Sequence, residues 1–286
     1  MYPREIRSSF QHTSVMHEFA LYGQVAKDSH HQTLQQLAGF TRMQPVDTLE
    51  IHLVFKARQP AGLDKLPSGG GSQGVLQPEI QRYRNMLNAS LYYVQLVGEV
   101  SPASAKSQKH GKSTDKDVVM SDETNEEAVT VQWSLEFKDT PDAGKQAVST
   151  RLISRVPLNQ GNLTEFLDHF GYDYVSRYLL VGSKFYDHDT TLHVHKILTL
   201  PPVSASAAIT ERSYLSNVSE LKELDRSGSY LVQASIDVID GNNQELKDRA
   251  TRQLLNFQES LKAAFDLTPA DRLALDTRLP SAVRRV

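Results

Sequence analysis

The chain has no cysteine. That excludes disulfide scaffolds, Cys-ligated zinc, iron–sulfur clusters and thiol catalysis. No run approaches the ~20 apolar residues that a membrane-spanning helix needs, and the opening MYPREIRSSFQHTS lacks the apolar stretch of a secretory signal. Charge of one sign is also scarce. Lys+Arg 31 against Asp+Glu 34 leaves a net charge of -3, so a strongly basic nucleic-acid binder is not expected. Phosphate cradles of the Walker type, G-x-G-x-x-G turns after a strand, G-x-S-x-G elbows and H-E-x-x-H helices are all missing. GGGSQG (69–74) follows no strand and opens no helix, so it reads as linker.

What is present is a core. Hydrophobic residues make up 39% of the 286 residues and charged ones 23%, which rules out wholesale disorder. The expectation is a soluble, intracellular chain forming a single domain over 1–286, interrupted by a Gly/Pro-rich flexible loop at 59–78 and a disordered insert at 101–128. Lysines fill the first half of that insert and acids the second.

Elsewhere the period is two. Val129, Val131, Trp133, Leu135 and Phe137 share one side while Thr130, Gln132, Ser134 and Glu136 take the other. This is the signature of a half-buried strand with one wet face. Leu49–Phe55, Val148–Val156 and Tyr230–Val238 alternate in the same way, and Phe19–Val25, Leu91–Val100, Tyr174–Tyr186 and Leu192–Thr199 do so more weakly. About eight strands with few helices between them predict a mainly β fold, an antiparallel sheet closed or nearly closed so that its edges are hidden. Gly182 is expected to mark a bulge or bend.

Helices are expected at three places. The first lies between Ser29, paired with Gln32 as a capping box, and Gly39. The second runs from Asn162 to Gly171. The third, the longest, starts near Asn243 and carries Leu246, Ala250, Leu254, Phe257, Leu261 and Ala264 on one stripe. A further short helix is expected from Thr268-Pro269, with Asp271 in its first turn.

Candidate sites are few. His193 and His195 face one side of a strand. With His188 or Asp189 they offer a weak metal pattern, against the simpler reading of a polar strand face; no metal and no cofactor are expected. The aromatic group Tyr172, Tyr174, Tyr178, Phe185 and Tyr186 reads as core or as a partner interface.

LTEFLDHFGYDYVSRYLLVGSKFYDHD with TLHVHKILTL, then SYLVQASIDVID, a long helix and LTPADRLALDTRLP, with EFALYGQV and WSLEFKDTPDAG before them, resembles fungal Mediator complex subunit 18 of the head module. The resemblance implies a twisted, partly open eight-stranded antiparallel barrel similar to the RNA triphosphatase tunnel fold, with one long C-terminal helix. It implies a nuclear, non-enzymatic coactivator subunit. Its implied partners are Mediator subunit 20 and a C-terminal helix of Mediator subunit 8, with RNA polymerase II machinery reached indirectly and no direct nucleic-acid contact. The tunnel enzymes place paired glutamates as E-x-E on strands. Here the nearest strand reads Glu50, His52, Val54, so no catalytic residue is assigned. The alternative kept open is a metal-dependent phosphohydrolase of the tunnel type, and a third reading is an RNA-binding barrel. A barrel used for assembly is expected to enclose oily side chains.

Overall fold

The computed structural model describes residues 14–58, 91–100, 131–158, 162–211, 213–215 and 217–279. The loop expected at 59–78 and the insert expected at 101–128 lie outside the described residues. Eight strands form the frame: β1 (Ser14–Val25), β2 (Val46–Ala57), β3 (Tyr93–Val100), β4 (Val131–Lys138), β5 (Ser149–Leu158), β6 (Tyr172–Asp187), β7 (Thr190–Thr199) and β8 (Tyr230–Val238). They pair antiparallel in the order β1-β5-β4-β3-β2-β6-β7-β8, and β8 pairs back onto β1. Closure is therefore complete, further than the partly open form that the resemblance implies. Phe19 faces both Thr150 of β5 and Ile236 of β8, so β1 has no free edge to protect.

Local chemistry explains the joints. β6 and β7 turn through His188-Asp189, with His188 in the left-handed region at φ 53. The register between β2 and β6 slips at Val54/Phe55, so the bulge sits there and not at Gly182, which stays in register with His195. Gly182 answers to close approach. A Cβ at that position would run into the Val194 carbonyl and the His195 backbone, so the bare Cα is what lets the two strands cross tightly.

Among the described residues four helices clad the barrel: α1 (His30–Thr41), α2 (Leu163–His169), α3 (Ala205–Thr210) and α4 (Gln244–Leu261). Asn243 caps α4, its Oδ1 accepting from the Glu245 and Leu246 amides at 3.0 and 3.2 Å. Asn162 caps α2 through the Glu165 amide at 3.3 Å, and Gly171 follows at φ +77. The expected box at Ser29 does not form. Ser29 ends a 3₁₀ turn in helical conformation, and its hydroxyl caps nothing. Nor does Gly39 stop α1, which continues to Thr41 and ends on Arg42 at φ 56.

No helix forms after Thr268-Pro269. The Thr268 amide and carbonyl are both taken by Tyr22 at 2.8 Å, which holds the backbone extended. From there the chain straps across one rim. Ala270 N bonds Ser149 Oγ (2.9 Å), Thr277 Oγ1 bonds the Lys138 carbonyl (2.6 Å), and Tyr93 N bonds the Thr277 carbonyl (2.8 Å).

The apolar stripe of α4 (Ala250, Leu254, Phe257, Leu261) packs with Phe19 and Leu21 of β1 and Val232, Ala234 and Ile236 of β8. A second cluster joins Ile51, Leu53 and Phe55 of β2, Leu96 of β3 and Leu179 of β6 to Leu163 and Leu167 of α2 and Ala208 of α3. Both cores therefore lie between the barrel wall and its cladding, outside the cylinder.

Candidate functional site

Because side chains alternate across a strand, the residues opposite these two cores point into the lumen. Register fixes the set. Glu18 faces Arg151 across β1/β5 and Asp237 across β1/β8. Gln95 faces Glu136 across β3/β4, and Glu136 faces Arg155 across β4/β5. His52 faces Tyr178, and Lys184 faces His193. The expectation of an oily interior is thus overturned. Alternation says that a strand has two unlike faces, and the helices claimed the apolar one, leaving the polar face inward.

Three carboxylates anchor the lumen, each with a cation or imidazole. Arg151 Nε donates to Glu18 Oε2 at 2.5 Å, and Gln233 Nε2 to Glu18 Oε1 at 3.1 Å. Both members of the Glu18–Arg151 pair are almost withdrawn from water, with side chains 8% and 9% exposed. Glu136 receives Arg155 Nε at 2.5 Å and Lys138 Nζ at 3.1 Å. Glu50 receives Lys184 Nζ at 2.6 Å and lies 3.1 Å from His52 Nε2.

The electrostatics follow from this geometry. Burial alone would raise the Glu136 carboxyl, but Lys138 and Arg155 overcome it and hold it at about 2. Burial likewise works against ionised Glu50, and the His52 hydrogen bond and the Lys184 charge win, pulling it far below the carboxylate range. His193 and His195, with ring centroids 4.5 Å apart, are pushed down to about 3 and about 4 by burial. Mutual repulsion adds to the effect at His193, so both rings are neutral at pH 7. Asp237 goes the other way: burial at the mouth of the lumen, then the Glu18 charge, raise its carboxyl.

The residues singled out in the sequence are dispersed. His193 bonds Thr48 Oγ1 at 3.0 Å in the lumen. His188 and Asp189 occupy the exposed turn, where Asp187 and Arg249 respectively pair with them. Among the described residues no three His, Cys, Asp or Glu side chains gather as a metal set. The five aromatics do not share a surface. Tyr178 stacks on His52 inside the barrel, with centroids 4.8 Å apart. The bulge, a slip of one residue, carries Tyr174 onto the outer wall edge-on to Phe55. Tyr172 packs on the same outer cluster, Phe185 is fully buried under the cladding, and Tyr186 stands 48% exposed at a rim. The lumen charges Glu18, Glu136, Arg151, Arg155, Lys184 and Asp237 were missed. Part of their signal lies in the strands EFALYG, WSLEFK and RLISR, where Glu18, Glu136 with Lys138, and Arg151 with Arg155 fall on the side of the alternation that reads as a wet face.

The fold and this interior together define a class: a closed antiparallel barrel, clad by helices, whose lumen is packed with mutually neutralising charges. The family model described as Med18 protein matches residues 17–278. Mediator of RNA polymerase II transcription subunit 18 from Coccidioides immitis is 43% identical over 270 residues, covering 92% of this chain and 100% of that one. The protein of the same name from Aspergillus oryzae is 40% identical over 273 residues, covering 92% and 99%. A chain in the solved structure of the Schizosaccharomyces pombe Mediator head module shares the fold at a TM-score of 0.58 and 19% identity, covering 92% of this chain and all of that one. The chain belongs to the Mediator subunit 18 family.

Proposed function

We propose that this chain is a non-enzymatic scaffold subunit of the Mediator head module in the nucleus, helping to relay regulatory signals to RNA polymerase II. Its partners on this reading are Mediator subunit 20 and a C-terminal helix of Mediator subunit 8. Family membership supports the assignment. The observation that carries the non-enzymatic part is the commitment of the lumen acids. A metal-dependent phosphohydrolase needs several convergent carboxylates free to take a cation. Here Glu18, Glu50 and Glu136 each spend their oxygens on Arg151, on Lys184 and His52, or on Arg155 and Lys138. Of the aromatic group, Tyr186, exposed at a rim, is the ring that reaches a partner, while Phe185 packs beneath the cladding beside it and Tyr172 and Tyr174 pack at the other end of β6.

Affinity purification of the tagged full chain from its own cells tests this. Mediator subunits, including subunits 20 and 8, are expected in the eluate in equimolar amounts. Recovery of the chain alone sinks the reading. The phosphohydrolase alternative has its own assay: turnover of tripolyphosphate with Mg²⁺ or Mn²⁺ that disappears in Glu50→Ala would replace the scaffold.

A further inference from the structure

One rim of the barrel is formed by the starts of β1, β2, β4 and β7 and the ends of β3, β5, β6 and β8, as the antiparallel registers require. Exposed large apolar side chains gather there. Val15 (β1), Ile239 (just past β8), Tyr186 (β6) and Val46 (β2) occupy an arc of that rim, Ile239 at 77% exposure. At the mouth itself, two lumen-facing carboxylates on opposite sides of the cylinder have no ion pair among the described residues: Glu99 near the end of β3, beyond one end of the arc, and Asp237 near the end of β8, within it. Both lie within electrostatic reach of Arg155, and Glu99 also within reach of Lys184. Those two cations are already held by Glu136 and Glu50. The mouth thus joins an apolar collar to two carboxylates that share cations already committed to other acids.

We infer that this mouth is a docking surface for a lysine-bearing segment of another Mediator subunit, whose ammonium enters between Glu99 and Asp237 while flanking apolar side chains rest on Val15, Val46, Tyr186 and Ile239. A lysine fits because its slender apolar stem can cross the collar while its compact head donates to both acids. The inference rests on the scaffold reading and names which surface serves it. The chain's own Lys106, Lys109, Lys112 and Lys116 follow Val100, which ends at the same rim; they are the competing occupant.

Zero-length carbodiimide cross-linking of the complex purified on the tagged full chain, read by mass spectrometry, is the test. A bond from Glu99 or Asp237 to a lysine of another subunit is expected. Cross-links from these two acids only to the chain's own lysines, or none at all, overturn it. In parallel, Glu99→Gln with Asp237→Asn is expected to leave the fold at least as stable as wild type, since neither acid is in an ion pair among the described residues and burial already disfavours charged Asp237, and to lower retention of the cross-linked subunit by roughly tenfold or more. Unchanged retention counts against the inference even while the wild-type chain still brings down Mediator, which would leave the scaffold reading standing. An eluate without Mediator subunits in either case removes both.

Discussion

Glu18 and Arg151 show what a single lumen residue is worth. Both side chains are nearly dry, and their separation is 2.5 Å. Taking two such charges out of water costs about as much as their attraction returns, so the pair adds little net stability, yet losing one partner strands the other. Glu18→Gln is therefore expected to destabilise the fold by about 3–5 kcal/mol in urea unfolding. Replacing both, with Glu18→Leu and Arg151→Met, is expected to recover most of that loss. A double variant as unstable as the single one would show that the pair is a net source of stability. At this scale the sequence was half legible. It displayed the charges on alternate positions of β1, β4 and β5, but the pairing partners are 133 and 19 positions apart, and only the order of strands around the cylinder brings them together. The split of Tyr174 from Tyr178 was hidden for a similar reason. Their equal parity promised one face, and the slip at Val54/Phe55 reversed it.

At the level of elements, periodicity decided well where one face is clearly apolar. β8 spans the expected Tyr230–Val238, and α4 starts at the expected cap and buries the expected stripe from Ala250 to Leu261, though Leu246 is only half-buried and the helix ends before Ala264. Phe257 sits at the middle of that stripe, buried, with Phe40 of α1 edge-on at 4.9 Å. Phe257→Ala is expected to cost about 3–5 kcal/mol through lost burial and the cavity left behind. A loss under about 1 kcal/mol would mean that α4 lifts from β1 and β8 easily. Elements whose backbone is claimed by distant chain were the ones misread. Thr268-Pro269 carries a sound helix-start pattern, but Tyr22 takes both backbone groups of Thr268, and tertiary hydrogen bonds outrank a cap worth ~1 kcal/mol. α3 escaped notice because six residues of ASAAIT show no usable period. Ser29 failed as a cap because the preceding 3₁₀ turn had already placed it in the helix.

For the whole molecule, a barrel filled with charge makes stability a function of pH, and the sign can be worked out from the lumen. Glu136 has a folded pKa of about 2, well below the ordinary carboxylate value, and Glu50 is displaced in the same direction. Such groups stabilise the fold above the unfolded carboxylate pKa, and that contribution is lost as pH falls toward the folded value. His193 and His195, at about 3 and about 4 against an ordinary 6.5, behave alike. The unfolded chain takes up their protons below pH 6.5 while the folded chain refuses them, so acid favours unfolding. Groups facing this pair from the neighbouring strands are Thr48, Glu50 and His52 of β2, Lys184 of β6 and Gln233 of β8. The positive charge of Lys184 adds to the cost of protonating either ring, and the negative charge of Glu50 offsets part of it. Asp237 opposes the trend, since its raised carboxyl favours the fold on acidification, but it is one group against four. Melting temperature is therefore expected to fall continuously from pH 6.5 to pH 4, where a barrel with an oily interior would stay nearly flat. One unit of difference in pKa between folded and unfolded chain is worth about 1.4 kcal/mol, so the two histidines dominate the upper part of this window. His193→Gln with His195→Gln is expected to flatten the profile between pH 6.5 and 5 while leaving the carboxylate-driven fall below pH 4.5. A wild-type profile that is level across this range would mean that the lumen charges are solvated in the folded state and do not hold the cylinder together.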